Sequence, residues 1–168
     1  LDVARALYDS EIRYLDDQLR ALYAALPLGG MWTMITADHG EEFLEHGDFG
    51  HSHNLYNPTM RIPMLIRPPN GDPMARTERV PVSLVDCAPT LLEVAGGTPP
   101  RHWKGVSLWS MDGGARVPAR PFIVAELDRT AGDSGIKAIV AGKWKLITRA
   151  GTASMELYDL ETDRGETS

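Results

Sequence analysis

The sequence predicts an α/β protein: a partial core sheet with flanking helices, followed by a small C-terminal antiparallel sheet. Three observations carry that prediction. A short run of β-branched and apolar residues, Trp32-Thr33-Met34-Ile35-Thr36-Ala37, reads as a buried strand and stops abruptly at Asp38-His39-Gly40. Amphipathic helical spacing lies on either side of it, over residues 3–26 and 83–95. Beyond residue 121 the β-prone runs are separated by glycine-containing turns instead of helices, which favours hairpins over parallel crossovers. The boundary so drawn divides the chain into 1–120, the α/β part, and 121–168, a small antiparallel subdomain.

Taken in order, Val3, Leu7, Ile12, Leu15, Leu19, Leu22 and Leu26 recur at helical steps with charged and polar residues between them, which predicts a helix with one buried stripe. Asp9, Asp16 and Asp17 belong to its solvated face. Pro27 and Gly29-Gly30 end it, because proline excludes helical geometry in the residue before it and glycine suits a left-handed cap. The strand to Ala37 follows. Residues 55–60 then suit one helical turn, and Arg61-Ile62-Pro63-Met64-Leu65-Ile66 is a second short strand closed by Pro68-Pro69-Asn70-Gly71. The stretch between these strands exceeds the dozen or so residues that a parallel crossover requires, so Asp38 is expected at the carboxyl end of a parallel strand.

Residues 72–81 read as a surface loop. In the next helix Pro89 falls near the first turn, where its missing N–H costs little, and Asp86 is placed to cap it. Residues 98–121 look irregular, with His102 and Lys104 as solvated loop residues. The last part holds Phe122-Ile123-Val124-Ala125, Gly135-Ile136-Lys137-Ala138-Ile139-Val140, Lys143-Trp144-Lys145-Leu146-Ile147 and Glu156-Leu157-Tyr158-Asp159-Leu160, four runs of β character.

Four of the five histidines, His39, His46, His51 and His53, crowd into the segment after the first strand. Neutral imidazole there can ligate a metal, donate a proton or meet an anion. The Asp38-His39 pair, with a strand in front and a glycine turn behind, reads as metal-binding. His46 and His53 read as members of a solvated polar loop, and His51 stands between the two readings.

Composition sets bounds on partners. Hydrophobic residues make up 43% and charged residues 24% of the 168 positions, ordinary values for a folded chain. A net charge of −6 argues against a nucleic-acid partner, since non-specific binding depends on Lys and Arg neutralising phosphates. No apolar run approaches the roughly 20 residues that span a bilayer, so no membrane segment is expected. The chain opens on Leu1, as a piece of a longer protein would, and its localisation is left open. Cys87, the lone cysteine, cannot form an intrachain disulfide and reads as a packing residue on the second helix.

Several of these pieces occur together in a telling order: Asp38-His39-Gly40-Glu41, Gly50-His51, Leu55-Tyr56, Arg61-Ile62-Pro63, Val85-Asp86 with Pro89-Thr90-Leu91-Leu92 and Gly96, Gly105 with Ser107-Leu108, and Glu156-Leu157-Tyr158-Asp159-Leu160. Their spacing over nearly the whole chain resembles the C-terminal half of a sulfatase of the alkaline phosphatase superfamily. One departure is Arg164, where the family usually has proline.

The resemblance implies a sulfatase-like core in 1–120 and a metal-dependent sulfuric-ester hydrolase as the parent protein, acting on a sulfate ester. It makes Asp38 and His39 metal ligands and His51 a contact to a substrate oxygen, with Ser52 and His53 standing where many members carry a lysine. Calcium is the first expectation for the divalent metal, and manganese, better matched to an imidazole ligand, the second. The formylglycine nucleophile, made from a Cys-x-Pro-x-Arg cysteine, is expected in the N-terminal half. Cys87, in Asp86-Cys87-Ala88-Pro89-Thr90, lacks the arginine of that pattern. The chain alone is therefore expected to be inactive, with an exposed core surface through which it can pair with itself. Two rivals are a phosphodiester or phosphonate-ester hydrolase of the same superfamily and a noncatalytic assembly domain.

Overall fold

The computed structural model describes residues 1–71, 75, 77–110, 114–116, 120–128 and 135–167. Parts of the loops read at 72–81 and 98–121 fall outside the described residues.

Helix α1, Asp2–Ala25, forms as its periodicity predicts, but the apolar stripe is not buried. Val3, Leu7, Leu15 and Leu22 are all at least half exposed. The beginning of the helix touches the histidine segment: Tyr8 packs edge-to-face on Phe43, with ring centroids 5.2 Å apart, and Arg5 pairs with Glu45 at 3.0 Å. The expectation of a buried stripe fails, since no residue of the helix is buried.

Strand β1, Thr33–Thr36, leads into the segment of histidines, where β2, Glu42–Phe43, and β3, Phe49–Gly50, make a short hairpin. Helix α2, Asn57–Met60, is the single turn the sequence predicts, with proline in its first turn. Strand β4, Met64–Arg67, then pairs with β1 in antiparallel register, Thr33 opposite Arg67 and Thr36 opposite Met64. This corrects the parallel expectation. Between the strands lie a small hairpin and one helical turn, and neither is long enough to carry the chain back to the starting end of β1, so it returns directly alongside.

After a 3₁₀ turn at Leu84–Asp86, helix α3, Cys87–Val94, packs near a hairpin of β5, Trp109–Ser110, and β6, Gly114–Ala115, inside the stretch expected to be irregular. Asp86 is structural, but its side chain does not cap α3 as expected; it closes the capping box of the 3₁₀ turn instead. Its buried carboxylate accepts the N–H groups of Ser83 and Val106, each at 2.9 Å, and also pairs with Arg120.

The last four strands, β7 (Ile123–Leu127), β8 (Ile136–Ala141), β9 (Trp144–Arg149) and β10 (Met155–Asp159), form one antiparallel sheet in the order β10-β9-β8-β7. Alternation puts Ile136, Ala138 and Ile147 on one buried face, which packs with Leu55, Tyr56 and Met60. The largest described core thus joins the C-terminal sheet to the segment just after the histidines.

Candidate functional site

Strand β1 ends two residues before Asp38, and its last hydroxyl, Thr36 Oγ1, donates to Pro63 O at 2.8 Å, pinning the strand tip to the chain entering β4. Asp38 and His39 then stand at the tip, their side chains 88% and 43% exposed. The backbone N–H of His39 donates to Asp38 Oδ1 at 3.0 Å, and that bond is the main reason the carboxyl is held below its usual range. His39 Nδ1 lies 2.9 Å from Gly40 O, an acceptor only, so Nδ1 carries the proton. This leaves the lone pair on Nε2, which sits 3.6 Å from Asp38 Oδ2.

Gly40 secures the pair from behind. Its N–H donates to Thr59 O at 2.8 Å, and a Cβ placed on it would lie 2.0 Å from Pro58 O, so only glycine permits this approach to α2.

His51 comes to the same place. Its ring lies 4.1 Å from that of His39, centroid to centroid, and its Nδ1 donates to Glu41 Oε1 at 3.0 Å, leaving Nε2 free. Gly50, at φ 93°, makes the turn that delivers it. The structure therefore brings together Asp38, His39 and His51, and it adds Glu41, whose part as a partner of His51 no spacing rule singles out. Among the described residues there is no cluster of three or more His, Cys, Asp or Glu able to hold a metal.

The other two histidines separate. His46 is structural but not solvated: its ring stacks on Tyr56 at 3.8 Å and 11°, and Nε2 is 2.9 Å from Gly165 O. His53 stays exposed. Together with Tyr8, Phe43, Phe49 and His51 it lines an open groove of about 450 Å³. Glu42, fully buried, organises the loop by accepting the N–H groups of His46, at 2.7 Å, and Asp48, at 3.2 Å, and the Asn54 amide. The sequence alone does not single out Glu42. Its only signal is a position two residues beyond Gly40. Cys87 lies half-buried, its thiol pushed up by burial and by the Asp86 carboxylate.

The geometry has relatives. The sulfatase family profile matches residues 3–97. Arylsulfatase K of Xenopus laevis is 30% identical over 176 residues, which cover 96% of this chain and 32% of that protein. The structure of BT4656 in complex with its substrate D-glucosamine-2-N,6-O-disulfate shares 25% identity at a TM-score of 0.68, over 90% of this chain and 32% of that one. A phosphonate monoester hydrolase from Silicibacter pomeroyi has the same fold, with a TM-score of 0.66 at 21% identity over 91% of this chain and 32% of that one. The chain spans about a third of the length of such relatives. The match to the family profile covers more than half of the chain and includes the strand tip, the histidine segment and α3, and the chain belongs to the sulfatase family of the alkaline phosphatase superfamily.

Proposed function

We infer that this chain supplies Asp38 and His39 as metal ligands of a sulfuric-ester hydrolase, with His51 as the contact to a substrate oxygen. One observation carries the reading: an exposed carboxylate held in its anionic form stands beside an imidazole whose Nδ1 is committed to a backbone carbonyl, so that Nε2 is the available ligand. Metal-binding histidines are oriented in this way, the second nitrogen donating to a carbonyl or carboxylate. The pair suits calcium first and manganese second. Two ligands do not complete a calcium shell of six to eight oxygens, so the remaining donors would come from water or other parts of a sulfatase. When bound, a divalent cation supplies Lewis-acid polarisation of the transferred group.

The rest falls to this chain's own side chains. Glu41 keeps the His51 proton on Nδ1, which leaves the lone pair on Nε2 of a ring 4.1 Å from that of His39. Cys87 does not serve as nucleophile: its raised pKa keeps it a thiol, and Leu91 stands where the modification pattern has arginine. The formylglycine belongs to the N-terminal half of such enzymes. A sulfate-ester substrate is supported by the relatives named arylsulfatase K, whereas the phosphonate hydrolase shares only the fold. The division at 120/121 into an α/β part and an antiparallel subdomain belongs to the same reading, as does self-association through exposed apolar surface.

Manganese titration followed by NMR tests the ligands. Paramagnetic broadening is expected to begin at the amides of residues 38–40 and to vanish in Asp38→Ala, and a tight oligomer with no such broadening would favour an assembly domain instead. Because nucleophile and metal cage act as a unit, the isolated 168 residues should release no phenol from a chromogenic aryl sulfate. Metal-dependent turnover by this chain alone, abolished by Asp38→Ala, would overturn the division of labour.

A further inference from the structure

The C-terminal residues 164–166 reach back to the segment that holds the strand tip. Glu166 and Lys145 are both fully buried and pair at 2.5 Å between Oε1 and Nζ. The second carboxylate oxygen, Oε2, accepts the N–H of Asn57, the first residue of α2, at 2.5 Å. Lys145 Nζ also donates to Asn57 Oδ1 at 3.3 Å, and Asn57 Nδ2 donates to Arg164 O at 3.2 Å. Glu166 is held at φ 56°, a left-handed conformation that a residue other than glycine keeps only when its surroundings over-determine it.

Asn57 is followed directly by Pro58 and Thr59, the residues against which Gly40 closes. A continuous path of short contacts thus runs from the C-terminal sheet, through Asn57 and the one turn of α2, to the backbone carrying Asp38 and His39. We propose that Glu166, with Lys145, is a positioning residue for the Asp38-His39 pair: by accepting the Asn57 N–H it fixes α2, and α2 fixes the strand tip. The metal part of this rests on the function inferred above; the tether itself does not.

A buried ion pair replaced by apolar side chains of similar volume often leaves stability unchanged, which allows position to be separated from folding. The comparison is between Lys145→Met with Glu166→Leu and Lys145→Met with Glu166→Gln. Both remove the charges, but glutamine restores an acceptor for Asn57. With equal thermal stability, the Gly40 amide should exchange with deuterium about tenfold or more faster in the leucine variant, and the glutamine variant should return towards wild type. Asn57→Pro removes the donor at a helix position that tolerates proline, and it should speed Gly40 exchange in the same way. Manganese broadening at residues 38–40 should weaken in step.

Equal Gly40 protection in the leucine and glutamine variants would overturn the proposal. If the leucine variant fails to fold, unchanged protection in Asn57→Pro would do the same. Absence of manganese broadening in wild type would count against the metal reading alone, because the exchange comparison needs no metal.

Discussion

At Gly40 the size of one side chain decides where two others stand. Alanine there would place a Cβ 2.0 Å from Pro58 O, and since that neighbour is backbone, the tip and α2 must move apart. Overpacking of this kind costs about 1–3 kcal/mol, so Gly40→Ala should lower the urea midpoint and weaken manganese binding together. Two aspartates show the opposite balance of stability and chemistry. Asp86 is buried and holds Ser83, Val106 and Arg120, so Asp86→Ala leaves buried partners unpaired and should cost about 3–5 kcal/mol in denaturant unfolding. Asp38 is exposed and donates nothing to the core, so Asp38→Ala should leave the melting temperature unchanged while abolishing metal binding. The placement of Asp38 and His39 at a strand tip is legible in sequence because strand tips are local features, whereas Asp86 does not cap α3 with its side chain as its position suggests but closes the capping box of the 3₁₀ turn before it. Glu42, Glu166 and Lys145 are not legible, since their meaning comes from partners that only folding brings near, as with Glu166 and Asn57 at a separation of 109 residues.

Helix α2 is the smallest helix and the element on which most depends. Besides the Glu166 tether, the residue before it, Tyr56, donates to Glu156 Oε2 on β10 at 2.5 Å, and Tyr158 donates to the same oxygen at 2.8 Å. Burial pushes the Glu156 carboxyl up, but the two phenols and Arg149 outweigh it and leave the group below its ordinary 4.5. A folded-state pKa below the unfolded one contributes stability that is complete above about 4.5 and is lost as pH falls through the lower folded value. Tyr158→Phe should therefore cost about 1–2 kcal/mol at neutral pH and shift the acid-unfolding midpoint upwards, measured by circular dichroism. The existence of α1, α2, α3 and the four C-terminal strands follows from periodicity and punctuation. The antiparallel return of β4 does not, because loop length allows a crossover without requiring one, and the short β2-β3 and β5-β6 hairpins are too brief for any period to show.

Across the whole chain, apolar surface is unevenly covered. The C-terminal sheet has a closed face packed on Leu55, whereas α1 keeps the amphipathic pattern of a helix meant to be covered and has no buried residue. Val3 at 74%, Leu7 at 63% and Leu15 at 56% exposure lie along one side of it, an apolar strip interrupted by Glu11 on the longest described element. Polar residues dominate the remainder of the helix, and Asp16 and Asp17 are engaged by Arg20, so the strip is bordered by charge in the manner of a surface that pairs. The hydrophobic gain from covering several such side chains, at about 25 cal/mol per Å², is large enough to drive association at high concentration while leaving the dilute chain monomeric. Sedimentation velocity should show the weight-average mass rising with concentration. Leu7→Glu with Leu15→Lys, which places charge in the strip and touches no core residue, should suppress the rise without changing the melting temperature measured on the dilute chain. A constant monomer mass in the unsubstituted chain, or an identical rise in the substituted one, would show that the strip is not what the copies share.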